Sequence, residues 1–192
     1  MTRNLFRFAL LLAVVAFVVS AQASNILDQN NPPLNVGLND GLEWQQQITV
    51  GIPGELAGIV LYTWSGNDTD TVKIGVGDAY YTGQWAFTGT ATITPSGTFI
   101  DTTGAGIFLN LGQHFVIDVS GGPGCCNLAG STIPYSGGDL WLNINGTHYD
   151  YTQLYGYSLG FQTYMTPEPG TLVFLGTGVL GLAGVLRRKI NL

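Results

Sequence analysis

Between Ser24 and Thr166 the apolar residues never repeat with a sustained helical period, while short runs alternate at period two. That mismatch constrains the fold most, because a period-two pattern presents one face as a strand and none as a helix. "LEWQQQITV" (42–50) places Leu42, Trp44, Ile48 and Val50 on one side and Glu43, Gln45 and Gln47 on the other. "AGIVLYTW" (57–64) is apolar on both sides, as an inner strand is. "TVKIGVG" (71–77) turns Val72, Ile74 and Val76 inward, and the pattern continues through 85–94, 106–111, 114–120 and 158–165. Asn145-Gly146 stands between two such runs and predicts a tight hairpin. Strand-like runs with Gly-rich turns predict an all-β chain, an antiparallel β-sandwich of jelly-roll type, over residues 24–165. No helix longer than about two turns is expected there. Residues 24–41, rich in Asn, Asp, Pro and Gly, read as an irregular lead-in, and the four Trp residues are expected to dominate the core. No internal repeat is present, which argues against a solenoid.

The two ends differ from this middle. Residues 1–23 open with Arg3 and Arg7, continue as an apolar run from Phe8 to Val19, and finish on Ala21-Gln22-Ala23. This is the pattern of a secretory signal peptide, a short helix cut by signal peptidase before Ser24. At the other end, 171–186 is apolar, Gly-rich and free of charge, and Arg187, Arg188 and Lys189 follow at once. As a helix it would rise about 24 Å, slightly short of a ~30 Å hydrocarbon core, a gap that snorkelling cations can close. The basic tail predicts a transmembrane helix with its C-terminus in the cytoplasm and the domain outside.

Charge narrows the partners. Lys73 is the one Lys or Arg between Arg7 and Arg187, whereas every one of the 12 carboxylates except Glu168 lies in the middle. Phosphate binding needs a basic footprint, so nucleic acid is not an expected partner. Neutral glycans, cations and other proteins remain.

Pro167-Glu168-Pro169, an apolar span and the cluster Arg187, Arg188, Lys189 together resemble the PEP-CTERM sorting signal over residues 166–192, with Gly170 following the motif. The resemblance implies recognition by an exosortase, a membrane protease-transpeptidase of Gram-negative bacteria. It further implies removal of the tail and delivery to the cell surface or extracellular matrix. "QQQITVGIPGELAGIVLYTW" and "PYSGGDLWLN…YGYSLGFQTYMTPEPG" also resemble anchored bacterial surface modules, which implies a β-sandwich whose last strand meets the anchor.

Few residues point to chemistry. Cys125-Cys126 are adjacent in a Gly-rich loop, and an exported pair is expected to oxidise. Neighbouring Cα atoms stand about 3.8 Å apart, closer than ordinary disulfides prefer. A vicinal disulfide, free thiols and intermolecular bridging or a metal therefore remain open, although two sulfurs without a nearby His or further Cys are too few for a zinc site. Asn67, Asp68 and Asp70 form a weak Ca²⁺ candidate on an expected turn, without the spacing of an EF-hand; no metal or cofactor is expected. His114 and His148 fall in strand patterns, no G-x-S-x-G elbow is present, and Glu43 and Glu55 lack the spacing of paired glycosidase carboxylates. No catalytic residue is expected. Tyr155 and Tyr157, between the last hairpin and the last strand, are candidate glycan contacts. The expected function is a non-enzymatic structural or adhesive surface protein. The alternative is a module binding neutral polysaccharide; a secreted hydrolase ranks third.

Overall fold

The computed structural model describes residues 24–39, 41–78, 80–121 and 128–167. Contacts divide the chain into the unit Asn25–Pro167 and a second unit comprising Met1–Ser24 and Glu168–Leu192. Ala21 and Ala23 of the cleavage site, the pair Cys125-Cys126, Glu168, Pro169, the expected helix at about 171–186 and the cations Arg187, Arg188 and Lys189 lie outside the described residues. Among the described residues no helix is long and apolar enough to cross a membrane.

The alternating segments become strands. A six-stranded sheet is built from β3 (Glu43–Thr49), β5 (Asp68–Val76), β6 (Phe87–Ile93), β9 (His114–Gly121), β11 (Leu140–Ile144) and β12 (Thr147–Asp150). Its order is β12-β11-β3-β9-β5-β6, antiparallel throughout. A second sheet runs β1 (Ile26–Asn31), β14 (Phe161–Thr166), β4 (Gly54–Leu61) and β7 (Thr98–Asp101), with β8 (Phe108–Leu109) also on β4. A small third sheet joins β13 (Ser158–Leu159), β10 (Leu128–Ser131) and β2 (Asn35–Leu38). The chain crosses repeatedly between sheets, so sequence neighbours such as β3 and β4 lie in different layers.

One core joins the layers. Trp44, Ile48, Val72, Ile74, Phe115, Ile117 and Val119 from the six-stranded sheet pack in the same cluster as Leu56, Ile59, Leu61, Phe161 and Met165. Each fully buried aliphatic or aromatic side chain contributes about 1.5–3 kcal/mol. Gln46 is buried among them, yet it is satisfied. Its Oε1 accepts from Leu159 N (2.9 Å) and its Nε2 donates to Gln47 O (2.9 Å), tying β13 to β3. The hairpin turns at Asn145 (φ 52°) and Gly146 (φ 85°), two left-handed residues as a type I′ turn needs. The only α-helix among the described residues, α1 (Tyr151–Tyr155), is a single turn capped by Asp150, whose side chain accepts from Gln153 N.

Three expectations are corrected. The lead-in is not irregular: β1 and β2 lie inside it, because β14 and β10 offer hydrogen-bonding edges that need no apolar alternation. The four Trp residues do not share the core; Trp44 is buried, Trp85 and Trp141 are half-buried, and Trp64 is exposed. Asp68 and Asp70 are strand residues of β5, not turn residues, and Asp70 is buried on the inner side with Val72. Among the described residues no group of three or more His, Cys, Asp or Glu side chains is placed to hold a metal.

Candidate functional site

The alternation of β3 turns Glu43, Gln45 and Gln47 away from the core, as expected, but Gln45 and Gln47 are not in solvent. The segment from Gly77 to Ala86, linking β5 to β6, folds back across this outer face. Tyr81 anchors it: its backbone N–H donates to Gln45 Oε1 (2.7 Å), and Gln45 Nε2 donates to its carbonyl (3.1 Å). Its ring lies on Gly75, where any Cβ would collide with it, so the glycine is what lets the ring down onto the sheet. Tyr81 OH donates to Gln84 O (2.6 Å), closing the loop on itself.

Beneath the loop, register brings polar residues from four strands together in two adjacent rows. Lys73 on β5 pairs with Asp118 on β9, and Asp118 with Gln45 on β3; the next row aligns Ser120, Glu43 and Asn143. Lys73 Nζ lies 3.1 Å from Asp118 Oδ1, Gln45 Nε2 donates to Asp118 Oδ2 (3.1 Å) and to Glu43 Oε1 (3.3 Å), and Asn143 Nδ2 donates to Glu43 Oε2 (2.8 Å). Glu43 and Asp118 also hydrogen-bond to each other. Two carboxylates need a proton for that bond, and the surroundings decide which holds it. Asp118 is fully buried; burial, with the bond to Glu43, pushes its carboxyl up to about 7 against the pull of Lys73. Burial also raises Glu43, but bonds from Asp118, Asn143 and Gln45 and the charge of Lys73 outweigh it and hold the carboxyl below its usual range. Of the two carboxyls Asp118 is therefore the one that takes up a proton first as pH falls, while Glu43 stays charged.

Aromatic rings border the network. Trp85 is in edge contact with Tyr81 (centroids 4.9 Å) and lies 5.2 Å from Lys73 Nζ. On the β12 side Tyr80 stacks on His148 and sits 6.2 Å from Trp141. Tyr80 adopts φ 50°, a conformation that non-glycine residues hold only under constraint. The indole N–H of Trp141 is buried with no hydrogen-bond partner among the described residues.

Tyr155 and Tyr157, the glycan contacts expected from the sequence, lie elsewhere. Tyr155 ends α1 and is exposed, while Tyr157 packs against the core; both neighbour Tyr151, which meets the edge of Trp44 at 4.9 Å. Asn67 immediately precedes β5, and Asp68 Oδ1 accepts from Thr69 N. Ser24 and Pro167 flank the described domain at its two ends. Sequence reading set aside Glu43 as lacking a paired carboxylate and missed Asp118 as its partner. The one available signal was an Asp in the otherwise apolar run "FVIDVS".

Residues 166–189 match the PEP-CTERM protein-sorting motif, a segment that begins at the last residue of β14. The match supports an exported protein sorted by an exosortase system. No curated protein matches the chain.

Proposed function

We propose that the chain is an exported surface or extracellular-matrix component of a Gram-negative bacterium, with a non-enzymatic structural or adhesive role. Its working part is a jelly-roll-like β-sandwich, residues 24–165. Signal peptidase cuts before Ser24, the C-terminal helix holds the chain transiently in the inner membrane, and an exosortase then removes the tail. The observation that carries this reading is the sorting motif following β14 without a linker. Intact-mass measurement on mature protein from the native surface should show loss of residues 1–23 and of the apolar tail. Full-length tail in that fraction would overturn exosortase processing. Replacing Pro167 and Pro169 with Ala should leave the precursor in the inner membrane.

A second reading is that the sandwich binds neutral polysaccharide, with the exposed Tyr155 and its neighbour Tyr157 as contacts. The acid-rich composition, with Lys73 already engaged by Asp118, favours uncharged partners. Binding that rests on stacking and hydrogen bonds should survive high salt, whereas charge-driven binding weakens under screening. Titration of a neutral polysaccharide panel at low and high salt tests it.

A further inference from the structure

The outer face of the six-stranded sheet presents, beside its covered row, a second row of polar side chains: His148, Asn143, Glu43, Ser120, Thr71 and Thr90, in register from β12 to β6. None of these six is fully buried. From Asn143 to Thr71 the row crosses three inter-strand spacings, about 14 Å, a length that suits two or three pyranose rings. One end carries Tyr80 stacked on His148, with Trp141 close by; the other carries Trp85 beside Lys73. We propose that this row, walled by Tyr80 and Trp85, is a binding site for a segment of neutral polysaccharide. It is distinct from Tyr155 and Tyr157, and the proposal rests on the polysaccharide-binding reading above.

Three observations carry it. The row mixes acceptors and donors (a carboxylate, an amide and three hydroxyl groups) at the spacing of sheet strands, which is what a run of sugar hydroxyls requires. Half-buried rings at both ends offer flat apolar faces for pyranose C–H surfaces. Beside Tyr80, the Trp141 N–H has no partner among the described residues, and an idle buried donor of this kind costs about 1–3 kcal/mol. A ligand hydroxyl that reached it would relieve it, and Trp141 lies at this end of the row, 6.2 Å from Tyr80 between ring centres. Charge selects the class. Lys73, the one Lys or Arg among the described residues, is already paired with Asp118, so an anionic sugar would find no uncommitted cation on this face.

The test uses the full chain in a polyoxyethylene detergent, which carries no sugar headgroup. Dextran, mannan and a β-1,4-glucan oligosaccharide are titrated at low and high salt, with Trp fluorescence and calorimetry as readouts. Trp85→Ala and Asn143→Ala should each weaken binding about tenfold, with unfolding still cooperative and thermal midpoints lowered by no more than about 4 °C, and Tyr155→Ala should leave binding unchanged. Binding by the wild type that survives both changes would overturn this site and leave the polysaccharide reading standing. No binding of any of the three probes at millimolar concentration would overturn both. Binding that instead appears only with alginate and vanishes in high salt would overturn the neutral class.

Discussion

Two aromatic clusters in this molecule use the same residue types in opposite surroundings. Trp44, Tyr151 and Tyr157 sit on the apolar side of the six-stranded sheet, continuous with the core, Tyr151 edge to face with Trp44 and tilted against Tyr157. Tyr80, Tyr81, Trp85 and Trp141 sit on its other side, over a carboxyl pair, an ammonium and two amides. The first cluster excludes water from hydrocarbon; the second excludes it from charge. Aromatic content therefore says little about role until the sheet face is known, and a Tyr-rich stretch such as 149–157 divides between packing and exposure.

The largest effect should separate the clusters outright. Trp44→Ala should destabilise the domain by about 3–5 kcal/mol in urea unfolding, since it empties a core site, and Trp85→Ala by less than about 1 kcal/mol. Equal losses would mean that both clusters are core.

The next effect concerns pH. Asp118 has its carboxyl raised in the folded state above the ordinary 3.8, to about 7, so between those values the folded protein binds the extra proton. Stability should then fall as pH rises through that window, by roughly 2–4 kcal/mol, and stay low above it. Glu43, held below its usual range, acts in the opposite sense and only at pH values below about 4.5. Thermal midpoints should be higher at pH 5 than at pH 8, and Asp118→Asn should flatten the slope. A flat wild-type profile would show that the pair does not share a proton.

Smaller changes sharpen the boundary. Gly75→Ala pushes a methyl into the Tyr81 ring and should lift the 77–86 segment, costing about 1–2 kcal/mol and exposing Gln45. Faster amide exchange at Tyr81 would register it. Tyr155→Ala, at an exposed ring, should stay within about 0.5 kcal/mol, whereas Tyr157→Ala should lose clearly more because its ring packs on the core.

These contrasts also mark what sequence could and could not give. Period two located most of the strands, and Asn145-Gly146 placed the hairpin, because both signals are local. The side on which Gln45 lies was equally legible; the loop that covers it was not, since Tyr81 lies 36 residues away. Asp118 and Glu43 meet through a register between β3 and β9, and no spacing along the chain encodes that neighbourhood. The strands β1 and β2 escaped notice because their side chains are mostly polar or exposed, and their reason to exist is a partner's free edge.

The position of β14 has a consequence for timing. It lies inside its sheet, between β1, the first strand, and β4, with Ile26 opposite Met165. Among the described strands β1 pairs with β14 alone, so this part of the sheet waits for residue 166, and closing so long-range a pairing is slow compared with local hairpins. The sorting motif begins at the residue that ends β14. In a chain made N-terminus first, completion of this sheet and arrival of the motif are therefore nearly one event.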